Sequence, residues 1–213
     1  NNAYTNLMVV WLVDCALSLL EMYDERFIDE IKQKVGFTRE DVVLWEKMVK
    51  KMYIPFLNDD IILQFEGFDQ LKDLDWKKYR KDYGEQMRLD RILEKENDSP
   101  NNYKATKQAD VLMLFYLFSS DQLVKLFGQL GYPFRKESIP RNIEYYSGIT
   151  SHGSTLSQVI FSWVKARSDR DGSLADFKKA LLSDFRDVQG GTTPEGIHLG
   201  AMAGTVDIIQ RCY

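Results

Sequence analysis

Histidine and cysteine are the rarest residues of this chain, two of each among 213. Cys15 falls inside an apolar helical pattern and Cys212 stands next to the last residue. That placement writes no disulfide framework and fits a reducing, cytoplasmic compartment. CxxC and HExxH are both absent, so no metal-ligand spacing is present. There is no Gly-rich nucleotide loop, and no Ser-His-Asp order is legible. Positive charge is also short: 28 Lys and Arg stand against 32 Asp and Glu, for a net charge of −4. The balance argues against nucleic acid or an anionic membrane as a partner. The longest apolar runs, Leu7–Val13 and Val111–Phe118, fall well short of the roughly 18 residues of a membrane span. No basic n-region with a cleavage site is visible. The expectation is therefore no metal, no organic cofactor, no nucleic acid and no membrane.

What is present is a globular composition, 44% hydrophobic and 28% charged. It suffices for one domain with a sizeable core, or for part of a larger one. The chain enters an apolar helix directly from Asn1-Asn2-Ala3-Tyr4 and ends on Arg211-Cys212-Tyr213. The lack of polar margins suggests a piece of something longer.

Leu7–Met22 is apolar nearly all round, which predicts a helix buried on most sides. Phe27, Ile28, Ile31 and Val35 mark an amphipathic helix stopped by Gly36. Thr38 caps the next, with Asp41 at the acidic position of a capping box. Ile61–Phe65 reads as a short strand or connector. Trp76, Tyr79, Tyr83 and Met87 predict one helix running on to Leu93, and Glu94–Lys104 a loop. Val111–Phe118 is again apolar all round, followed by an amphipathic partner after Ser120. Leu174, Phe177, Leu181, Phe185 and Val188 predict a helix broken at Gly190-Gly191. Glu195–Arg211 predicts the last, with Gly196, Gly200 and Gly204 on one face. Such a face lets another backbone or a ligand approach closely. Buried helices alternating with amphipathic ones make the chain all-α and fit concentric layers, a toroid of helical hairpins.

The stretch Thr150–Ser157, TSHGSTLS, holds five hydroxyls, one histidine and a glycine just ahead of Leu156, Val159, Ile160, Trp163 and Val164 at helical spacing. A hydroxyl-rich turn at a helix N-terminus favours an anion. It is equally compatible with a capping turn around a satisfied histidine. The second histidine, His198, lies at another helix start. Lys107 and Gln108 precede the apolar run 111–118, as a solvated charge and a cap or as sugar ligands. If the apolar helices form an inner ring in one sense, these polar groups share a rim. No acidic pair stands out; Glu66 and Asp90 are the acids to watch.

The segments NNAYTN at the start, RLDRILE at 88–94, YKATKQADVLMLFYLF at 103–118, TSHGSTLS at 150–157 and EGIHLGAMAGT at 195–205 resemble glycoside hydrolase family 65, in the family's order. That family holds maltose, trehalose, kojibiose and nigerose phosphorylases and some hydrolases. The resemblance implies an incomplete (α/α)6 toroid, residues 1–213 being a single helical domain from the C-terminal portion of a larger catalytic barrel. The pair matching Lys107 and Gln108 binds the glucosyl unit in the family. The residues matching Ser151, His152, Gly153, Ser154, Thr155 and His198 bind inorganic phosphate, the co-substrate. The implied chemistry is inverting cleavage of an α-glucosidic disaccharide, phosphate attacking opposite a glutamic acid. The family's glutamate stands before the NNAYTN block, hence upstream of Asn1, so this chain alone is expected to be inert. A hydrolase of the same family stays open, with Glu195 the nearby carboxylate, as does a non-catalytic helical interaction module. A half toroid would expose apolar faces and pair as a homodimer.

Overall fold

The computed structural model of the chain describes residues 2–188 and 193–213. The fold is all-α: eleven helices stand among the described residues beside one two-stranded antiparallel ribbon. The helices are α1 (Ala3–Met22), α2 (Glu25–Val35), α3 (Arg39–Lys51), α4 (Trp76–Tyr83), α5 (Leu89–Lys95) and α6 (Asp110–Leu117). They continue with α7 (Ser120–Gln129), α8 (Ser138–Ile149), α9 (Thr155–Lys165), α10 (Arg170–Leu182) and α11 (Leu199–Cys212). The ribbon pairs β1 (Phe56–Leu57) with β2 (Ile61–Ile62).

The chain punctuates these helices locally. Asn2 caps α1 by accepting from the Thr5 N–H, and Asp24 caps α2 by accepting from Phe27. Gly36 closes α2 in the left-handed conformation (φ 81°), where a side chain is disfavoured. Thr38 and Asp41 form a reciprocal capping box on α3, and Ser119 with Gln122 forms another on α7. The second box sits one residue earlier than the Ser120 start predicted.

Four helices run side by side in one sense as an inner row. The Asn2 amide of the α1 cap donates to Asp110 at the start of α6 (3.1 Å), and Trp11 meets Phe118 further along, ring centroids 5.7 Å apart. Thr106 and Thr150, ahead of α6 and α9, pair as a parallel bridge, and Tyr116 meets Trp163 at the far ends. Val159 of α9 faces Gly204 of α11, and Arg211 lies over Trp163. The order across the row is α1, α6, α9, α11, with α3, α8 and α10 packed outside. This is the incomplete helical toroid the pattern implies. Val111, Leu112 and Leu114 of α6 are fully buried, each stabilising the core by about 1.5–3 kcal/mol. They join Leu7, Leu123, Phe127 and Phe161 in the main core.

Several expectations need correction. The helix predicted from Trp76 to Leu93 is two, because Gly84 turns the chain at φ 85°. The helix predicted to reach Val188 stops at Leu182. The last helix begins at Leu199, and Gly196 (φ 131°) precedes it, leaving Gly200 and Gly204 within the helix. The Gly190-Gly191 break lies outside the described residues. α1 buries only Ala3, Leu7 and Val10, not most of its circumference. Its 20 residues are long and apolar enough to cross a membrane by length and composition, since the helix runs on through Asp14, Ser18 and Glu21 where the apolar run stops. It packs instead on α3, α6 and α7.

Candidate functional site: a turn at the shared helix N-termini

Two lead-in segments build the site. The Thr106 and Thr150 hydroxyls lie 2.8 Å apart, and Thr150 also donates to the Tyr146 carbonyl (2.6 Å). The Ser151 N–H donates to the Thr106 carbonyl (2.8 Å), and the Gly153 N–H to the Lys107 carbonyl (3.1 Å). Ser151 in turn accepts from the Met87 N–H (3.0 Å), so the turn is clamped on two other segments. A Cβ at Gly153 would sit 3.1 Å from both Lys107 Cγ and the Met87 carbonyl oxygen. The absence of a side chain there is what lets Lys107 lie against the turn.

Lys107 is half exposed, its ammonium 3.9 Å from Asp90. Arg88 grips the same carboxylate with two hydrogen bonds (3.1 and 3.0 Å). Those bonds, aided by the nearby Lys107 charge, hold Asp90 below the usual carboxylate range despite its burial. Asp90 is thus an ionised anchor for Lys107 and Arg88, unsuited to donate a proton near neutral pH. Gln108 is half-buried and does not cap α6; Ala109 stands at the cap with no side-chain bond. Beside the turn opens a cleft of about 280 Å³ lined by Phe65, Phe68, Asp90, Tyr103, Lys107 and Ser151 among others. Aromatic rings together with hydrogen-bonding groups in one cleft suit a sugar ring.

Past the turn, α9 begins at Thr155 with Ser154 as its N-cap, and the Ser154 hydroxyl makes no capping bond. Its first-turn N–H groups carry the positive end of the helix dipole. Gln158, one turn in, is fully buried, and neither amide atom has a partner among the described residues. His152 takes a left-handed backbone (φ 49°), with its ring against Phe161 (4.7 Å) and Nδ1 2.9 Å from the Ser157 hydroxyl. Burial pushes its pKa down to about 4, so the imidazole is neutral at pH 7. The satisfied-histidine alternative describes this residue: it shapes the turn and adds no cation.

His198 is the N-cap of α11. Asp184 accepts from its backbone N–H (2.9 Å), and Nδ1 lies 2.5 Å from the other carboxylate oxygen. Because a carboxylate only accepts, Nδ1 carries the proton and Nε2 is the ring's free position. Burial raises the Asp184 pKa, but the two bonds from His198 outweigh it and the net shift is downward. The Glu195 side chain lies outside the described part. Since α6, α9 and α11 are parallel, Lys107, Ser154 and His198 stand at the same end of the row. Asp184, Thr106, Arg88 and Gln158 are members that residue types and spacing did not single out. Among the described residues no three His, Cys, Asp or Glu gather as metal ligands.

Known proteins resemble the chain over nearly its whole length. Residues 1–207 match the glycosyl hydrolase family 65 central catalytic domain. An uncharacterized glycosyl hydrolase of Mycobacterium tuberculosis is 51% identical over the whole chain, which spans 16% of that protein. Trehalose 6-phosphate phosphorylase of Lactococcus lactis is 36% identical over 99% of the chain, which spans 26% of it. A solved structure of a kojibiose phosphorylase-like protein from the human microbiome superposes on 96% of the chain and 26% of its own length, with a TM-score of 0.70 at 25% identity. The chain thus spans between 16% and 26% of the length of these relatives, and it belongs to glycosyl hydrolase family 65, as part of the central catalytic domain.

Proposed function

We propose that this chain supplies the glucosyl-binding pair and the phosphate turn of an inverting α-glucosyl disaccharide phosphorylase of the trehalose, maltose or kojibiose type. The reading rests chiefly on one observation: Lys107 lies in contact with the Ser151–Thr155 turn, at the N-terminal end of a helix row whose next member has His198 at its N-cap. In this reading Lys107 and Gln108 hold the glucosyl hydroxyls. Ser154, the free N–H groups of α9 and His198 hold phosphate. With His152 neutral, the anion is held by N–H and O–H donors and the helix dipole, which position the nucleophile without a counter-charge of their own. Asp184 keeps the His198 ring oriented. Phosphate then attacks the anomeric carbon as the glycosidic bond breaks, and the leaving oxygen takes a proton from a carboxylic acid on the opposite face. Asp90, held ionised by Arg88, does not fill that role, and the reading gives it to a glutamate outside these residues. The reading places the enzyme in the cytoplasm, and both cysteines are free thiols.

The test is phosphate-dependent release of glucose 1-phosphate from trehalose, kojibiose and maltose by the full-length polypeptide containing this chain. Ser154→Ala should raise the phosphate KM or lower turnover by about ten- to a hundredfold, the worth of one hydrogen bond to a charged group. Cleavage that proceeds equally without phosphate would replace this reading with a hydrolase.

A further inference from the structure

We propose that a second anion site lies at the opposite end of the helix row, taking a small phosphomonoester such as a hexose phosphate. The cleft there measures about 620 Å³, within the usual range for small-molecule sites. It opens between the C-terminal ends of α6, α9 and α11. Arg167, Arg170 and Arg211 line it, Phe115, Phe118 and Trp163 form apolar wall, and among the described residues no carboxylate lines it. Three arginines lining one cleft are unexpected for a chain of net charge −4.

Two of these groups are fixed in advance. Arg211 lies over Trp163, 4.2 Å from the ring centroid, and pairs with Asp207 at 3.3 Å. Arg170 donates to the Cys212 carbonyl (3.0 Å) and stacks near Tyr213. Arg167 is exposed and makes no hydrogen bond or ion pair among the described residues. A cation in the last turn of α11 is explained by the helix dipole, which welcomes Arg211. Arg170 opens α10, where the dipole disfavours positive charge, and is held there by the Cys212 carbonyl and the Tyr213 ring. Arg167, just past the end of α9, stands where that helix's dipole favours a cation, and it has no side-chain partner among the described residues. A dianionic phosphate would pair with Arg167 and with the remaining donors of Arg170, since guanidinium binds it through paired hydrogen bonds. The Ser120 hydroxyl and the aromatic wall would take up the sugar carbons and hydroxyls. The site is about 16 Å, one length of α9, from the Ser151–Thr155 turn. A ligand there would act on the helix row and not on the reacting bond.

The probe is glucose 6-phosphate, titrated into the chain while its indole N–H resonances are followed by NMR. The Trp163 signal should move and saturate, while Trp45 and Trp76 stay fixed. Glucose alone should leave Trp163 unmoved. Affinity should fall about tenfold or more in Arg167→Ala/Arg170→Ala and be unchanged in Ser154→Ala, which touches only the other end. Fixed Trp45 and Trp76 signals in the double variant report that it is folded. A Trp163 signal that does not move at roughly 20 mM probe, or equal affinity in the double variant, overturns the proposal.

Discussion

At the scale of residues, the candidate site divides into what composition can announce and what it cannot. A turn of hydroxyls before an apolar helix announces itself, because capping chemistry and anion affinity are local. Partners distant in sequence do not: Thr106 finds Thr150, and Asp184 finds His198, only through the fold. The two histidines look alike in sequence and differ in environment. His152 is packed against Phe161 and held near 4, whereas an unfolded histidine titrates near 6.5. Between those values the unfolded chain binds more protons than the folded one, so stability must fall as pH drops through that window. The loss should total up to about 3 kcal/mol and level off below pH 4. Asp90 and Asp184, whose pKa values are lowered, lose their contributions only at lower pH, below their ordinary 3.8. His152→Asn keeps a residue that tolerates the left-handed backbone and removes the titration. Urea unfolding of this variant between pH 7 and 4 should show a flatter slope than the parent; an identical slope would mean His152 is not the group responsible.

Elements were legible where their punctuation is local. The Thr38–Asp41 box and the Gly36 stop are readable from types and spacing, and both stand in the structure. Boundaries failed where periodicity continued past a backbone break. Tyr83 and Met87 keep helical spacing across Gly84, yet that glycine at φ 85° ends α4. The glycine face of the last helix was legible as a close-approach surface, but not which glycine makes the approach. A Cβ on Gly204 would sit 2.6 Å from Val159 Cγ1, so α11 packs on α9 through that position. At Gly200 nothing lies within 4 Å. The two positions should therefore respond oppositely to the same change. Gly204→Ala should destabilise by about 1–3 kcal/mol through overpacking. Gly200→Ala should stabilise by up to about 1 kcal/mol through helix propensity. Chemical denaturation of both variants checks the pair, and a stabilised Gly204→Ala would show that the α9–α11 contact is looser than described.

For the whole molecule, the position of each inner helix in the row decides how much of it is covered. α6 and α9 have inner neighbours on both sides, and their apolar residues are mostly buried. α1 and α11 stand at the two ends and are covered on one side only. α1 exposes Leu12, Leu19 and Met22, the last 75% exposed, and α3 beside it adds Val43 and Leu44. α11 exposes Leu199, Val206 and Ile209. Hydropathy alone could not separate these cases, because α1 and α6 are both apolar all round and differ only in how many neighbours the topology gives them. Contiguous apolar surface of this kind is uncommon on stable monomers. A stable pairing would need to cover on the order of 1,200–2,000 Å² in total. The chain on its own should therefore self-associate through these two ends. Sedimentation velocity across a concentration series should show mass rising above 24.8 kDa with loading. Combining Leu19→Lys and Met22→Glu on α1 with Val206→Lys and Ile209→Glu on α11 should return it to a monomer, because a charge cannot be buried unpaired in an apolar contact. All four side chains project from exposed faces, so circular dichroism should be unchanged. A parent chain that remains monomeric at every concentration, or association that survives the four substitutions, would place the contact elsewhere.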